Sequence, residues 1–143
     1  MMYRHSEGLS QSSRTSLKLL MRLRLKAFEA RVLGQEGWRD GFAVWGAGRD
    51  GKNFVKSIRE EFRDKIKVIV DVDEKKIASK FYFNRDLGNL KIPIVHFSEL
   101  KEGGRFGSLP VVVCVAMYRT DGKLEENVAS VGRVEGGNLW HFF

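Results

Sequence analysis

The chain has 143 residues, with 25 Lys and Arg against 18 Asp and Glu (formal charge +7), 43% hydrophobic residues and one cysteine. That length is about one domain's worth and the apolar content can build a core. One cysteine and three scattered histidines exclude an internal disulfide and a thiolate metal cluster, and no apolar run approaches the roughly 20 residues needed to cross a bilayer.

Residues 1–16 are polar and serine-rich, with SQSSRTS showing no periodicity, and read as a flexible lead-in without the apolar core of a secretory signal. Residues 17–40 read as a basic amphipathic helix and a linker. Leu17, Met21, Leu25, Phe28 and Val32 form one apolar stripe, Ser16 is a candidate N-cap and Gly34 a stop. Beside that stripe Lys18, Arg22 and Lys26 repeat every fourth residue, a basic row suited to phosphate contacts and a candidate nucleic-acid surface. A mitochondrial targeting helix has a related pattern. The stripe favours a helix docked on the domain C-terminal to it, so the cytoplasm is the expected location and the mitochondrion the lesser alternative.

Residues 41–143 alternate strand and helix. Phe42–Trp45 reads as a strand, 49–62 as a helix with Phe54, Val55, Ile58 and Phe62 inward, and 66–72 as a buried strand. A short strand comes next at 92–95, then a short helix over 96–100 that Ser98 can cap. Pro110 opens a strand at 111–117, a helix spans 121–131, and 139–143 is the closing strand. Alternation of this kind implies right-handed crossovers and a parallel sheet. The expected architecture is α/β: a Rossmann-like parallel sheet of about five strands with an N-terminal helical extension.

Between the first strand and its helix, Gly46, Gly48 and Gly51 are spaced as G-x-G-x-x-G. Gly46 permits a tight turn, Gly48 lets a phosphate approach the backbone, and Gly51 lets helix pack on strand. Free N–H groups at the helix start suit an anion, with Arg49 beside them. Asp71, 25 residues after Gly46 at the end of the second strand, occupies the place of the acid that holds a ribose. Arg119 lies beyond the fourth strand, on the edge where such sheets bind ligands, and is the candidate to join the loop around a phosphate. NAD(P) or a nucleotide sugar is the ligand class this implies. The same glycines also serve a plain strand-to-helix turn, and one domain provides no second half to present a hydride acceptor.

Other features point to structure. Asp71-Val72-Asp73 spells D-x-D, but at the end of a Rossmann strand it reads as coincidence, so no metal ligands and no catalytic residues are assigned. Cys114 reads as an inert core thiol, His141 as structural, and His96 as a weaker functional candidate at a strand end.

The stretches LRLKAFEARVL, FAVWGAGRDGKNF, VDVDEKKI, IPIVHFSEL, VVVCVAMYRTDG and EGGNLWHFF resemble the C-terminal domain of the β-1,3-N-acetylglucosaminyltransferase-like protein 1 family, also described as queuosine-tRNA galactosyltransferase. The resemblance runs from about Leu17 to Phe143. It implies an accessory, non-catalytic domain of a family 2 glycosyltransferase-like protein acting in queuosine-tRNA glycosylation. The implied partners are tRNA and a GT-A catalytic domain that this chain lacks. The alternative is a stand-alone nucleotide- or NAD(P)-binding module.

Overall fold

A computed structural model describes residues 19–32, 34–115, 123–135 and 137–142. A helix over 19–27 (α1) widens into a π-helical turn, Phe28–Val32. The apolar stripe points inward as the periodicity predicts: Phe28 and Val32 are buried, and Met21 and Leu25 pack against the core from its edge. Leu17, Ser16 and Lys18 lie outside the described residues. A short helix α2, Glu36–Arg39, buries Trp38, whose indole N–H donates to the carbonyl of Gly137 at 2.8 Å.

Six strands form one sheet: β1 (Phe42–Trp45), β2 (Ile66–Asp71), β3 (Phe81–Asn84), β4 (Leu90–His96), β5 (Val111–Val113) and β6 (Leu139–His141). Their order is β3-β4-β2-β1-β5-β6. Among the described residues only the β3–β4 pair is antiparallel. Setting β3 aside, the parallel strands run third, second, first, fourth, fifth, which is the doubly wound order. The fold is therefore α/β and Rossmann-like.

Successive strand residues point to opposite faces, and both faces are buried. Phe42, Val44, Ile69, Ile94 and Val112 face the layer made by α1, α2 and helix α3 (Arg49–Ser57). Ala43, Trp45, Val68, Val70, Val111 and Val113 face the 3₁₀ turn Phe97–Leu100 and helix α6 (Lys123–Ser130). Phe28 lies at the centre of the first layer, in edge-on contact with Trp38, Phe42, Phe54 and Trp140 at ring separations of 5.5, 5.6, 5.5 and 6.1 Å. The described part of segment 17–40, although distinct in composition, thus shares one core with the sheet.

Four details depart from the sequence reading. The helix expected over 49–62 is two helices, α3 and α4 (Glu60–Arg63), because Ile58 is extended at ψ 149°. The carbonyls freed by that break are served by Arg63, which donates to Val55, Lys56 and Ile58 at 3.0, 3.1 and 2.9 Å. Phe54, Val55 and Ile58 still point inward, since the break begins only at Ile58, and Phe62 packs on the core from its edge. The second departure is β3, an extra strand that makes six from about five. It is joined to a longer β4 through the 3₁₀ turn Arg85–Leu87, after the short helix α5 (Glu74–Ala78). Third, the turn at 97–100 is capped by His96, whose Nδ1 accepts from the Ser98 N–H at 3.2 Å; Ser98 is not the cap. Fourth, β5 ends at Val113, ahead of the expected 117, although the Cys114 N–H still donates to the carbonyl of Trp45. Residues 116–122 lie outside the described set.

Arg133 ties the second layer together. Its guanidinium donates to the carbonyls of Leu109 at 2.9 and 3.0 Å, Phe106 at 3.1 Å and Val131 at 2.7 Å, and also to Leu100. Burial holds its pKa below the ordinary arginine value. Methionine at this position would keep the stem and abandon four carbonyls. Arg133→Met is expected to cost about 2–4 kcal/mol, since charge-assisted bonds contribute about 1.5–3 each and orphaned groups cost more. The midpoint of urea unfolding measures this; an unchanged midpoint would mean that water serves those carbonyls equally well.

Candidate functional site

The site begins where β1 leaves the sheet. Gly46 donates its N–H to the carbonyl of Val70 at 2.8 Å and turns the chain at φ +125°, a conformation that L side chains rarely adopt. A Cβ there would also meet Val115 Cγ2 at 2.9 Å. At Gly51, in the first turns of α3, a Cβ would stand 1.8 Å from the carbonyl oxygen of Gly46. These two glycines are geometric necessities of a helix packed hard against its own entry loop.

Gly48 is different. Its φ is −86°, which any residue tolerates, and it caps α3 with no side chain. A Cβ there would meet a single neighbour, the ammonium of Lys76, at 2.9 Å. The space Gly48 keeps open therefore holds a cation on a flexible stem. Around it, the first-turn N–H groups of α3 have no intrahelical acceptors, and Arg49 is exposed beside them.

Asp71 closes the loop from the neighbouring strand. Its Oδ2 accepts the Ala47 N–H at 2.7 Å, and its Oδ1 accepts Val72 and Asp73 N–H at 2.7 and 3.0 Å. The carboxylate expected to hold a ribose is thus also the brace that fixes the glycine loop against β2. Asp73 is likewise engaged, capping α5 by accepting the Lys75 N–H at 2.9 Å. Both acids of the D-x-D triplet serve the backbone. Among the described residues no group of three His, Cys, Asp or Glu is placed to hold a metal ion.

The remaining candidates fall in several places. His96 stands opposite Asp71 in the sheet register, at the same edge, with its Nδ1 turned to Ser98 and its ring against Phe97 at 4.6 Å. Cys114 is fully buried; burial, and secondarily the charge of Asp50, push its thiol well above the usual range and keep it protonated. His141 pairs through Nδ1 with Glu135 at 2.7 Å. Arg22 and Lys26 are exposed on α1. Arg22 lines a separate cavity of about 570 Å³ between α1, α3 and the carboxyl end of the chain, with Met21, Leu25, Phe54 and Phe142. Arg119 and Lys18 lie outside the described residues.

Two residues at the loop escaped the sequence reading. Lys52 on α3 and Lys76 on α5 line one cavity of about 350 Å³ with Ala47 of the glycine loop. Lys76 reads in sequence only as one of a lysine pair after the D-x-D. Its proximity to Gly48 depends on how α5 folds back, which no motif encodes. No protein-family model matches the chain, and no solved structure matches it at a significant level.

Proposed function

We propose that this domain is a non-catalytic nucleotide-binding module that seats a phosphate on its glycine loop. It would serve as the accessory domain of a family 2 glycosyltransferase-like protein in queuosine-tRNA glycosylation. One observation carries the phosphate reading: Gly46, Gly48 and Gly51 lie after the central strand of a doubly wound sheet, where strand order reverses and ligands bind. The ammonium of Lys76 lies beside Gly48, and Asp71 is engaged with the Ala47 N–H; the one acid in the first turn of α3 itself is Asp50. A phosphate would lie over Gly48, with Lys76 moved aside to pair with it. NAD(P) or a nucleotide sugar carries such a phosphate; Asp71, with lone pairs to spare on Oδ2, can accept a ribose hydroxyl.

Calorimetric titration with NAD⁺, NADP⁺ and UDP-sugars tests the reading. Gly48→Leu is expected to weaken binding at least about tenfold, because it removes the close approach of phosphate to backbone. Its unfolding midpoint should hold, because a Cβ at this position meets only the flexible end of Lys76. Absence of heat with every nucleotide would reject the proposal.

The tRNA part rests on the resemblance and on one further observation, that Arg22 and Lys26 are exposed one turn apart on α1. Contacts from this row would be to phosphates. Affinity for tRNA should then fall steeply with salt, and Arg22→Ala should reduce the salt slope by about one. Binding that is absent or indifferent to salt would remove this part while leaving the nucleotide reading intact.

A further inference from the structure

Strand β3 is apolar on both faces but has a packed layer on only one. Tyr82 points into the core with Ile92 and Ile94 of β4, where Ile77 of α5 and Leu87 pack from the edge. Side chains alternate along a strand, so Phe81 and Phe83 stand on the opposite face, beside their register partners Pro93 and Lys91. The turn Phe97–Leu100 and α6 cover that face over β1, β2 and β5; among the described residues of β4 their cluster takes in only Val95. Phe81 and Phe83 are left 44% and 57% exposed, on an antiparallel edge that would ordinarily turn polar residues to water.

The surroundings of these rings are basic. The ammonium of Lys91 lies over the Phe81 ring at 4.1 Å, and Phe83 has no ring or cation partner among the described residues. Lys80 and Arg85 bound β3 at its two ends, and from Lys80 to His96 the chain holds a single acid, Asp86. None of the three cations forms an ion pair among the described residues. A second copy of the chain fits such a face poorly. An isologous dimer would set Lys91 and its neighbours against themselves, on a chain of formal charge +7. Two rings and a proline also fall well short of the roughly 800 Å² per partner of a stable interface. Exposed rings among unpaired cations are the complement of planar groups carried on a polyanion.

We infer that this open face of β3 and β4 binds unpaired bases of a single-stranded RNA. Phe83 stacks one base. Lys91 leaves the Phe81 ring to pair with a neighbouring phosphate, which frees Phe81 for the next base. The two phenylalanines are two residues apart on one strand, so their stems stand about 6.6–6.8 Å apart. A base on each ring is thus splayed from its neighbour, as in a loop or an end and not in a helix. Stacking of this kind tolerates any base, so the surface holds a strand without selecting its sequence. The inference goes beyond the basic row of α1, whose contacts are phosphates alone; only the choice of RNA rests on the tRNA reading.

Fluorescence anisotropy of the full 143-residue chain with a labelled RNA hexamer of mixed sequence tests the inference, beside the hexamer's duplex, an abasic strand of the same length, and tRNA. The hexamer is expected to bind at least about fivefold tighter than the duplex or the abasic strand. Phe83→Leu keeps apolar bulk but loses the ring; it should weaken the hexamer at least about fivefold with the salt slope unchanged, and Phe83→Tyr should retain binding. Lys91→Ala should instead lower the salt slope by about 0.7. Both side chains are exposed, so the unfolding midpoints of these variants should hold. An abasic strand or duplex bound as well as the hexamer, or an indifferent Phe83→Leu, would overturn the inference. A dimer in sedimentation that Phe83→Leu dissolves would also overturn it, assigning the face to a second copy. Binding of tRNA that responds to Arg22→Ala but not to Phe83→Leu would overturn it with the α1 reading preserved. Hexamer binding that depends on Phe83 while tRNA stays unbound would support this surface and end the tRNA reading; silence with every RNA ends both.

Discussion

Gly51→Ala is expected to unfold the domain or bring it close to unfolding. The added methyl would stand 1.8 Å from the carbonyl oxygen of Gly46; the backbone fixes the position of the methyl, and the oxygen is backbone. No side chain can rotate away, so either α3 must lift from the loop or the loop must leave the end of β1. Ordinary overpacking of a core costs about 1–3 kcal/mol. A clash of a fixed Cβ with a backbone carbonyl should exceed that, against a total stability of about 5–15 kcal/mol. Urea unfolding monitored by circular dichroism measures the effect. Gly48→Ala, three residues earlier and facing only Lys76, is the control and should shift the midpoint little. Equal stability of the two variants would mean that the helix does not approach its loop as closely as described.

Phe28→Ala should be nearly as severe. This residue comes from the turn that ends α1, outside the alternating strand and helix pattern, yet it is fully buried and touches rings from α2, β1, α3 and β6. Truncating a buried phenylalanine costs about 3–5 kcal/mol, from lost transfer energy and the cavity left behind. The edge-on ring contacts add to that. The expected readout is a large fall in unfolding midpoint with loss of near-ultraviolet ellipticity from Trp38 and Trp140. A midpoint within about 1 kcal/mol of the parent would show that α1 is an appendage resting on a core complete without it.

The range of the forces involved decides which features the chain announces locally. The stripe Met21-Leu25-Phe28-Val32 and the run IKVIV are local patterns, and each marks its element because burial acts on the period of the backbone itself. The glycine loop is legible for the same reason, as Gly46 and Gly51 answer to each other within a few residues. The β3 hairpin is not. Its turn carries a glycine and an asparagine at positive φ, Gly88 and Asn89, but the strand ahead of it is only four residues, FYFN, with two exposed rings, and it starts from Lys80, a non-glycine at positive φ. The break at Ile58 carries neither proline nor glycine and is stabilised by Arg63, five residues on. Arg133 reaches carbonyls 24 to 33 residues away, and nothing in its neighbourhood announces that. At the site, distance along the chain places Asp71 at the loop, but its bond to Ala47 depends on β1 and β2 lying side by side.

The strand order has a consequence for biosynthesis. Within this sheet the first strand in chain order, β1, finishes at the middle, and one of its flanks is covered by β2 only about 20 residues later. Its other flank waits for Val111–Val113, near the end of the chain. During translation the nascent chain therefore carries an open, wholly apolar strand, FAVW, for some 70 residues of synthesis. Unpaired edges of this kind recruit other chains. The interval between β1 and β5 is thus when newly made copies are most in need of a chaperone, and slowing elongation across it should raise the aggregated fraction.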